Sequence, residues 1–173
     1  FGEFLPFENI LKKFGLSVIT NNYQSFSSGD DRKIIDIKRD DFSLKILPLI
    51  CYEIIYSGKI FKNPSFDLMV NISEDGWFGS SIGPKQHFAH SIFRAVESGK
   101  YLLRSANNGI AAIVNPLGIV EQKVEYGQSG YIDFKKAKKI QPTLFSKYGN
   151  KIFITLILLY IFLIFSFNRF KNE

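Results

Sequence analysis

Two almost continuously apolar runs, close together in the chain, constrain the fold more than any other feature. Residues 44–55 read LKILPLICYEII and residues 67–73 read DLMVNIS. Runs of this kind, without polar alternation, are typical of central strands that are buried on both faces of a sheet. Because Pro48 lacks the N–H that a regular ladder needs, the first strand is predicted to start or bulge there.

The residues after these runs change from strand periodicity to helix periodicity and back. Between Gly83 and Ser105, apolar side chains recur at helical spacing, and Pro84 is placed for a first helical turn. Two short apolar segments, 110–114 and 119–124, flank the sequence Asn-Pro-Leu-Gly, which predicts a β-hairpin. The order strand, strand, helix, hairpin predicts an α/β fold with a mixed sheet.

Composition excludes several classes of protein. Apolar residues make up 46% and charged residues 22% of the 173 residues, which excludes a disordered, collagen-like or heptad-repeat chain. One cysteine excludes an internal disulfide framework, and with only two histidines we expect neither a metal nor a cofactor. The polar stretch 14–41 is predicted to be a long surface excursion from one domain.

The positive charge of the chain is modest and uneven. Lys and Arg number 22 against 16 Asp and Glu, a net charge of +6. A nucleic-acid interface needs basic residues interleaved with exposed aromatic side chains, so no nucleic-acid partner is expected. A solvated strand end, or a patch that faces lipid headgroups, explains the one dense basic cluster, which consists of Lys135, Lys136, Lys138 and Lys139.

The segment Ile152–Phe167 contains no charged residue, no Gly and no Pro. As a helix it would be about 24 Å long, somewhat less than the ~30 Å hydrocarbon core of a bilayer. Leu and Ile cover every side, which excludes an amphipathic surface helix and leaves a membrane span or a buried core helix. Because basic residues flank both ends, we predict a transmembrane helix within residues 147–173, after a folded domain in residues 1–146.

The lone cysteine is the candidate reactive group. Cys51 stands near the end of the first apolar run, and Glu53, two residues on, is expected on the same face of the strand. Strand ends in α/β folds are where reacting side chains reach a cleft, and a second polar group, residues 71–79, ends the next run. The alternative is an inert core thiol, the usual state of a cysteine in an apolar run.

A reactive thiol needs a positive partner, because carboxylates near a thiol raise its pKa. His87 and His90 lie three residues apart on the predicted helix, and a Cys–His pair is compatible with the sequence but not required by it. None of the other cations has diagnostic spacing. The candidates are Lys45, Lys59, Lys85, Arg94 and Arg104.

Five short motifs occur in order along the chain. They are Phe1-Gly2-Glu3-Phe4-Leu5-Pro6-Phe7, Ile50-Cys51-Tyr52-Glu53, Asp75-Gly76-Trp77-Phe78-Gly79, Gly83-Pro84-Lys85-Gln86-His87 and Arg104-Ser105-Ala106-Asn107-Asn108-Gly109. Together they resemble the C-terminal part of the apolipoprotein N-acyltransferase family, bacterial membrane enzymes with a nitrilase-superfamily domain. The resemblance extends over nearly the whole chain, and the Cys-Tyr-Glu and Trp-Phe-Gly motifs are specific only in combination.

The resemblance implies a partial nitrilase-like α-β-β-α sandwich followed by one C-terminal transmembrane helix. It also implies a Glu–Lys–Cys triad in which Cys51 is the nucleophile, while the Lys and the general-base Glu lie before Phe1. Glu3 matches a further acidic residue of such sites, an auxiliary carboxylate that orients the Lys and the attacking group. Since the chain opens without Met, we expect it to be a fragment that is inactive alone.

The reaction that the resemblance implies has two acyl-transfer steps and lipid partners. Cys51 takes an acyl group from a phospholipid as a thioester, and the N-terminal amine of a diacylated apolipoprotein then receives it. Tyr52 and Glu53, in the nucleophile motif, and Trp77 and Phe78, in a loop between glycines, are predicted to contact substrate. The resemblance implies that the protein is located in the bacterial inner membrane, with the domain on the outer, periplasmic face. The excess of Lys before the apolar run favours the opposite orientation.

Two rival functions stay open at this point. A nitrilase-superfamily amidase would hydrolyse a C–N bond with the same triad, and a non-catalytic membrane-anchored module would keep Cys51 as a core thiol. One residue departs from the family pattern, because Glu74 stands where Asn is usual and adds a negative charge. We predict structural roles for Asn107 and for Arg94 and Glu97, which can pair three residues apart on a helix.

Overall fold

The structure is a computed structural model that describes residues 10, 13, 14, 32–58, 65–135 and 137–171. The chain divides into two compact units, residues 1–33 and 34–173, and the elements described below belong to the second. Glu3 and most of the predicted surface excursion lie outside the described residues. The predicted domain boundary at residue 146 stays a prediction.

Within the described residues, six strands form one mixed sheet in chain order. The three strands β2, β3 and β4 are parallel, whereas β1 joins β2, and β5 and β6 extend from β4, in antiparallel pairs. The predicted α/β class with a mixed sheet is confirmed. The strands are β1 (Ile35–Arg39), β2 (Phe42–Ile50), β3 (Leu68–Glu74), β4 (Tyr101–Asn107), β5 (Ala111–Val114) and β6 (Val120–Val124).

Helix α1 (Gly83–Ser98) confirms the helix predicted after the second apolar run, with Pro84 in its first turn. The prediction is wrong for the residues up to Ser105, because the helix stops at Gly99 and the chain then enters β4. Gly99 has a φ of +64°, and a Cβ there would lie 2.6 Å from the backbone oxygen of Ile140. A left-handed glycine cap therefore ends the helix where apolar spacing alone did not.

The core is built on both faces of the central strands, as the apolar runs predicted. Met69 of β3 packs with Leu49 and Leu102 on the face that α1 covers, and Ala95 of the helix is fully buried there. Leu68, the preceding residue of β3, belongs to a second apolar cluster on the other face. Removal of these side chains from water on both faces fixes β3 at the centre of the sheet.

One expectation about β2 is wrong. Strand β2 neither starts nor bulges at Pro48, which pairs in register with Val70 of β3. The pairing of β1 with β2 ends at Ile46, so on that side Pro48 has no ladder bond to lose. Strand β1 itself lies within the stretch that was predicted as a surface excursion. The predicted hairpin is confirmed, since β5 and β6 pair antiparallel.

The C-terminal part forms a short helix, α2 (Leu144–Tyr148), and a longer one, α3 (Lys151–Lys171). Apolar side chains of α3 are exposed; Phe153 and Phe165, for example, are 64% and 70% accessible. No helix among the described residues has the length and hydrophobicity needed to cross a membrane. The predicted transmembrane helix is therefore not confirmed, and its uncharged part of about 24 Å is shorter than the ~30 Å hydrocarbon core.

Candidate functional site

Cys51 is the first residue after β2 and opens a 3-10 helix, Cys51–Ile55. Its φ is +48°, a left-handed backbone conformation that costs about 1–3 kcal/mol in a residue other than glycine. Because the strand has already ended, Glu53 does not share a strand face with Cys51 as predicted. The Glu53 carboxylate instead accepts the N–H of Ile50 at 2.7 Å and holds the start of the turn. The thiol is half-buried rather than enclosed in the core.

Asn71 of β3 holds the backbone on which Cys51 sits. Its Nδ2 donates to the carbonyl oxygens of Leu49 at 3.0 Å and of Cys51 at 3.3 Å. The side chain of Asn71 is fully buried, and its Oδ1 accepts a hydrogen bond from Nη1 of Arg104. The neighbouring strands therefore supply an amide clamp that offsets the cost of the left-handed conformation.

A buried ion pair lies behind this clamp. Arg104 Nη2 is 2.9 Å and 2.7 Å from the two carboxylate oxygens of Asp75, and neither side chain has exposed surface. Burial lowers the pKa of Arg104, and the negative charge of Asp75 and its hydrogen bonds with Arg104 partly offset this effect. Burial raises the pKa of Asp75, but hydrogen bonds from His87 and Ser73 and the charge of Arg104 outweigh it, and the net shift is downward. Both groups are therefore charged near neutral pH.

Ser73 connects this ion pair to the sulfur. Its Oγ lies 2.7 Å from Asp75 Oδ1 and 3.7 Å from Cys51 Sγ. The same hydroxyl is 3.5 Å from Nδ1 of His87, which in turn lies 2.8 Å from Asp75 Oδ1. The Cys–His pair that the sequence allowed but did not require is not a direct contact, because Ser73 lies between the two side chains.

Of the five cations that the sequence offered, Arg104 is the one found in this network, where it pairs with Asp75. Of the other candidates, Arg94 lies beside Glu97, Lys45 and Lys85 are not in the network, and Lys59 is outside the described residues. Arg104 is brought to the site because β3 and β4 pair in parallel with Asn71 opposite Arg104. The polar segment 71–79, which the sequence analysis identified only as a whole, supplies Asn71, Ser73 and Asp75.

The residues predicted to contact substrate are placed differently from one another. Tyr52 is half-exposed and Phe78 half-buried, and each ring centroid lies 5.5 Å from that of His87. Trp77 is 84% exposed, and Glu53 serves the turn described above. That these four residues bind substrate stays a prediction.

A pocket of about 320 Å³ lies beside the Cys51 turn. Its wall is formed by the 3-10 helix that Cys51 opens, by the loop before α1 and by the first turns of α1. Burial lowers the pKa of His90, and the positive charge of Arg94 acts in the same direction. The lining residues are Tyr52, Ile55, Phe78, Ser81, Ile82, Gly83, Gln86, His87 and His90.

The residues predicted to be structural make local contacts. Glu74, the departure from the family pattern, accepts the N–H of Gly76 at 2.7 Å and Nδ2 of Asn107 at 2.5 Å. Its charge therefore closes the loop after β3. Arg94 and Glu97 approach within 3.1 Å on α1, as predicted. Among the described residues, no three His, Cys, Asp or Glu side chains form a group that could hold a metal ion.

Comparison with protein families matches residues 10–134 to the carbon-nitrogen hydrolase family. Among curated relatives, the apolipoprotein N-acyltransferases of Rickettsia bellii and Rickettsia prowazekii are 43% and 41% identical over 148 and 152 residues. The apolipoprotein N-acyltransferase of Rhodopseudomonas palustris is 36% identical over 151 residues. The alignments cover 84–87% of this chain but 28–29% of the relatives, so the chain spans less than a third of their length.

Comparison with solved structures gives a more distant likeness. A nitrilase-superfamily amidase from Nesterenkonia AN1 is 16% identical, with a TM-score of 0.43 over 59% of this chain and 40% of that chain.

Proposed function

The chain belongs to the carbon-nitrogen hydrolase family, and from that premise we propose that Cys51 is the nucleophile of an apolipoprotein N-acyltransferase. The observation that carries the proposal is the position of Cys51, half-buried on a left-handed turn at the carboxyl end of a parallel strand, with Ser73 and Arg104 behind it. The 36–43% identity to relatives of that name supports the substrate class. The family membership supports a nitrilase-like fold, and we propose a partial α-β-β-α sandwich.

The proposed first step is acylation of the sulfur. The Cys51 thiolate attacks an ester carbonyl of a phospholipid, the C–O bond breaks, and the lysophospholipid leaves with a proton donated by the Glu before Phe1. A backbone N–H just after Cys51, together with a Lys from the sequence before Phe1, stabilises the oxyanion. Glu3 orients that Lys, and Arg104 adds a fixed positive charge on the buried side of the sulfur.

The proposed second step transfers the acyl group to nitrogen. The N-terminal amine of a diacylated apolipoprotein attacks the thioester, the C–S bond breaks, and the thiolate is restored. A Glu before Phe1 accepts the proton that the amine loses. A thioester suits this step because it stays reactive towards amines. Without the Lys and the Glu of the proposed triad, we expect this chain alone to be inactive.

Lipid substrates require a site beside a bilayer. Exposing an acyl chain to water costs about 0.8 kcal/mol per CH₂ group. The exposed apolar side chains of α3 offer a surface of the kind that contacts lipid, and we propose that the domain works on the outer face of the bacterial inner membrane. We propose Tyr52, Glu53, Trp77 and Phe78 as the residues that contact substrate.

The test is acyl transfer by the full-length protein. Supplied with phospholipid and a synthetic diacylated peptide, it should form the amide-linked acyl peptide, and mass spectrometry without the peptide should detect an acyl adduct on Cys51. Cys51→Ala should lose both products. Glu74→Gln, a matched change at the end of β3, should keep both. Hydrolysis of small amides without transfer would instead favour an amidase, and an adduct that survives Cys51→Ala would exclude Cys51 as the nucleophile.

A further inference from the structure

His87 is a buried group that the proposed reaction leaves without a task. Its side chain is 1% exposed, and its ring lies between Tyr52 and Phe78. Its Nδ1 faces Asp75, Ser73 and Arg104, whereas its Nε2 is buried and has no hydrogen-bond partner among the described residues. A buried polar atom without a partner costs about 1–3 kcal/mol, so its presence calls for an explanation.

The contacts of Nδ1 determine what Nε2 can bind. The atom nearest to Nδ1 is Asp75 Oδ1, at 2.8 Å, and a carboxylate oxygen only accepts. Nδ1 must therefore carry the proton and donate it to Asp75. In the neutral ring this leaves Nε2 with a lone pair and no hydrogen, so it accepts a hydrogen bond and cannot donate one.

His87 lines the pocket described above together with Tyr52, the residue after Cys51. Ser73 Oγ is within 3.7 Å of Cys51 Sγ and within 3.5 Å of His87 Nδ1, so a single hydroxyl separates the sulfur from the ring. A ligand in the pocket therefore lies beside the turn that carries Cys51.

We propose that this pocket is the binding site for the nitrogen end of the acyl acceptor, with an N–H group of the acceptor donating to His87 Nε2. The inference rests on the proposed function and adds to it the subsite of one substrate. The rings of Tyr52 and Phe78 and the side chains of Ile55 and Ile82 enclose the apolar part of the ligand. His87 is a binding residue in this assignment, while Asp75 and Arg104 position its ring.

The chemistry of the two substrates favours the acceptor over the acyl donor. The acyl chains and ester groups of a phospholipid carry no N–H or O–H, so they leave Nε2 without a partner. The acceptor carries a terminal amine and a peptide amide, both of which donate. An ammonium in a phospholipid headgroup is the one donor of the same chemistry from the other substrate, and the experiment separates the two sources.

Direct binding is measured on the full-length Cys51→Ala protein in detergent micelles, with ¹⁵N-labelled histidine. The variant His90→Gln distinguishes the resonances of the His90 ring from those of the His87 ring. Three probes are titrated: a diacylated cysteinyl peptide, a short-chain phosphatidylethanolamine and a short-chain phosphatidylcholine, which has no N–H or O–H. The peptide should shift the Nε2 resonance of His87, and phosphatidylcholine should not. A shift with phosphatidylethanolamine but not with the peptide, or no shift with either, overturns the assignment.

Two substitutions at one position test the same contact in turnover. His87→Asn keeps a donor near Asp75 and removes Nε2, whereas His87→Gln can extend an amide oxygen towards the place of Nε2. We expect His87→Asn to raise the KM for the acceptor peptide about tenfold, the size expected for one hydrogen bond, and His87→Gln to raise it less. A purely structural His87 would instead slow Cys51 acylation and acyl transfer together in both variants.

The two proposals fail in distinguishable ways. If phospholipid never acylates Cys51, the proposed function fails, although the resonance of His87 still reports whether the pocket binds an amine. If Cys51 is acylated and transfers its acyl group, but the acceptor KM of His87→Asn equals that of the unsubstituted protein, only the subsite fails.

Discussion

Two buried arginine–carboxylate pairs in the same unit are satisfied to different degrees. Arg104 and Asp75 meet through two short contacts, and Ser73 and His87 complete the coordination of the carboxylate. Arg94 Nε lies 3.1 Å from Glu97 Oε2, but the alignment makes no hydrogen bond, and Arg94 Nη1 is without a partner among the described residues. Burial lowers the pKa of Arg94, and Glu97 offsets this only in part.

The difference follows from what each pair holds in place. Glu97 accepts the N–H of Gly58 at 2.8 Å through its side chain and that of Thr143 at 3.1 Å through its backbone oxygen. This pair therefore fastens two loops to α1. The Arg104 pair instead fixes the backbone and surroundings of Cys51 through Asn71 and Ser73. In this unit, complete coordination occurs beside the Cys51 turn, and looser pairing occurs where loops are anchored.

The largest effect on the free energy of unfolding should come from removal of Arg104. Its pair with Asp75, in which the carboxylate is fully coordinated, is called the saturated pair below. Arg104→Met leaves Asp75 charged, buried and without its counter-ion, and should lower the free energy of unfolding by about 3–5 kcal/mol. Urea denaturation of the full chain measures the loss. A double variant, Arg104→Met with Asp75→Leu, should regain part of it, because neither charge is then left alone.

The same substitution in the looser pair should cost less. Arg94→Met removes a guanidinium whose Nε and Nη1 make no hydrogen bond among the described residues, and we expect a loss of about 1–3 kcal/mol, measured in the same urea series. Glu97 keeps its contact with Gly58 in this variant. If Arg94→Met proved as costly as Arg104→Met, the distinction between the two pairs would be lost.

Acid should weaken the saturated pair by a smaller amount. The pKa of Asp75 is lower in the folded protein than its ordinary value of 3.8. Its contribution to stability is therefore complete above that value and disappears as the pH falls through the lower folded pKa. The urea concentration at the unfolding midpoint should decrease once the pH is below about 4. The decrease should be less steep in Asp75→Asn. Equal slopes for the two proteins would show that Asp75 does not carry this dependence.

Ser73→Ala should have the smallest effect on stability and a separate effect on the thiol. The hydroxyl contributes one hydrogen bond to Asp75, so we expect a loss of about 1 kcal/mol. Because Ser73 also lies 3.7 Å from Cys51 Sγ, the rate of thiol alkylation at a fixed pH should fall when this polar neighbour is lost. Glu74→Gln is the matched control at the end of the same strand, and its alkylation rate should not change.

The sequence predicted the elements whose patterns are local. The apolar runs of β2 and β3, the helical spacing of α1 and the turn of the β5–β6 hairpin each carry their own signal. Strand β4 carries no such signal, because the apolar spacing of the helix continues beyond Gly99, where the helix itself ends. Without β4, the register that places Arg104 opposite Asn71 could not be derived.

The conformation of Cys51 was also beyond the sequence. A left-handed cysteine is held by partners from β3, and nothing in the residues beside it requires a positive φ. The predicted strand face shared by Cys51 and Glu53 failed for this reason. The C-terminal prediction relied on an uncharged apolar run and on the basic residues that flank it, and these features indicate an apolar helix without establishing a membrane span.

The turn at position 51 sets fold stability against chemistry. Glycine is the residue that adopts a left-handed backbone at least cost, so Cys51→Gly should relax the turn while it removes the sulfur. A library of variants selected only for heat resistance should therefore accumulate glycine at position 51. A library selected for the proposed acyl transfer must keep the cysteine, although its left-handed backbone is less favourable.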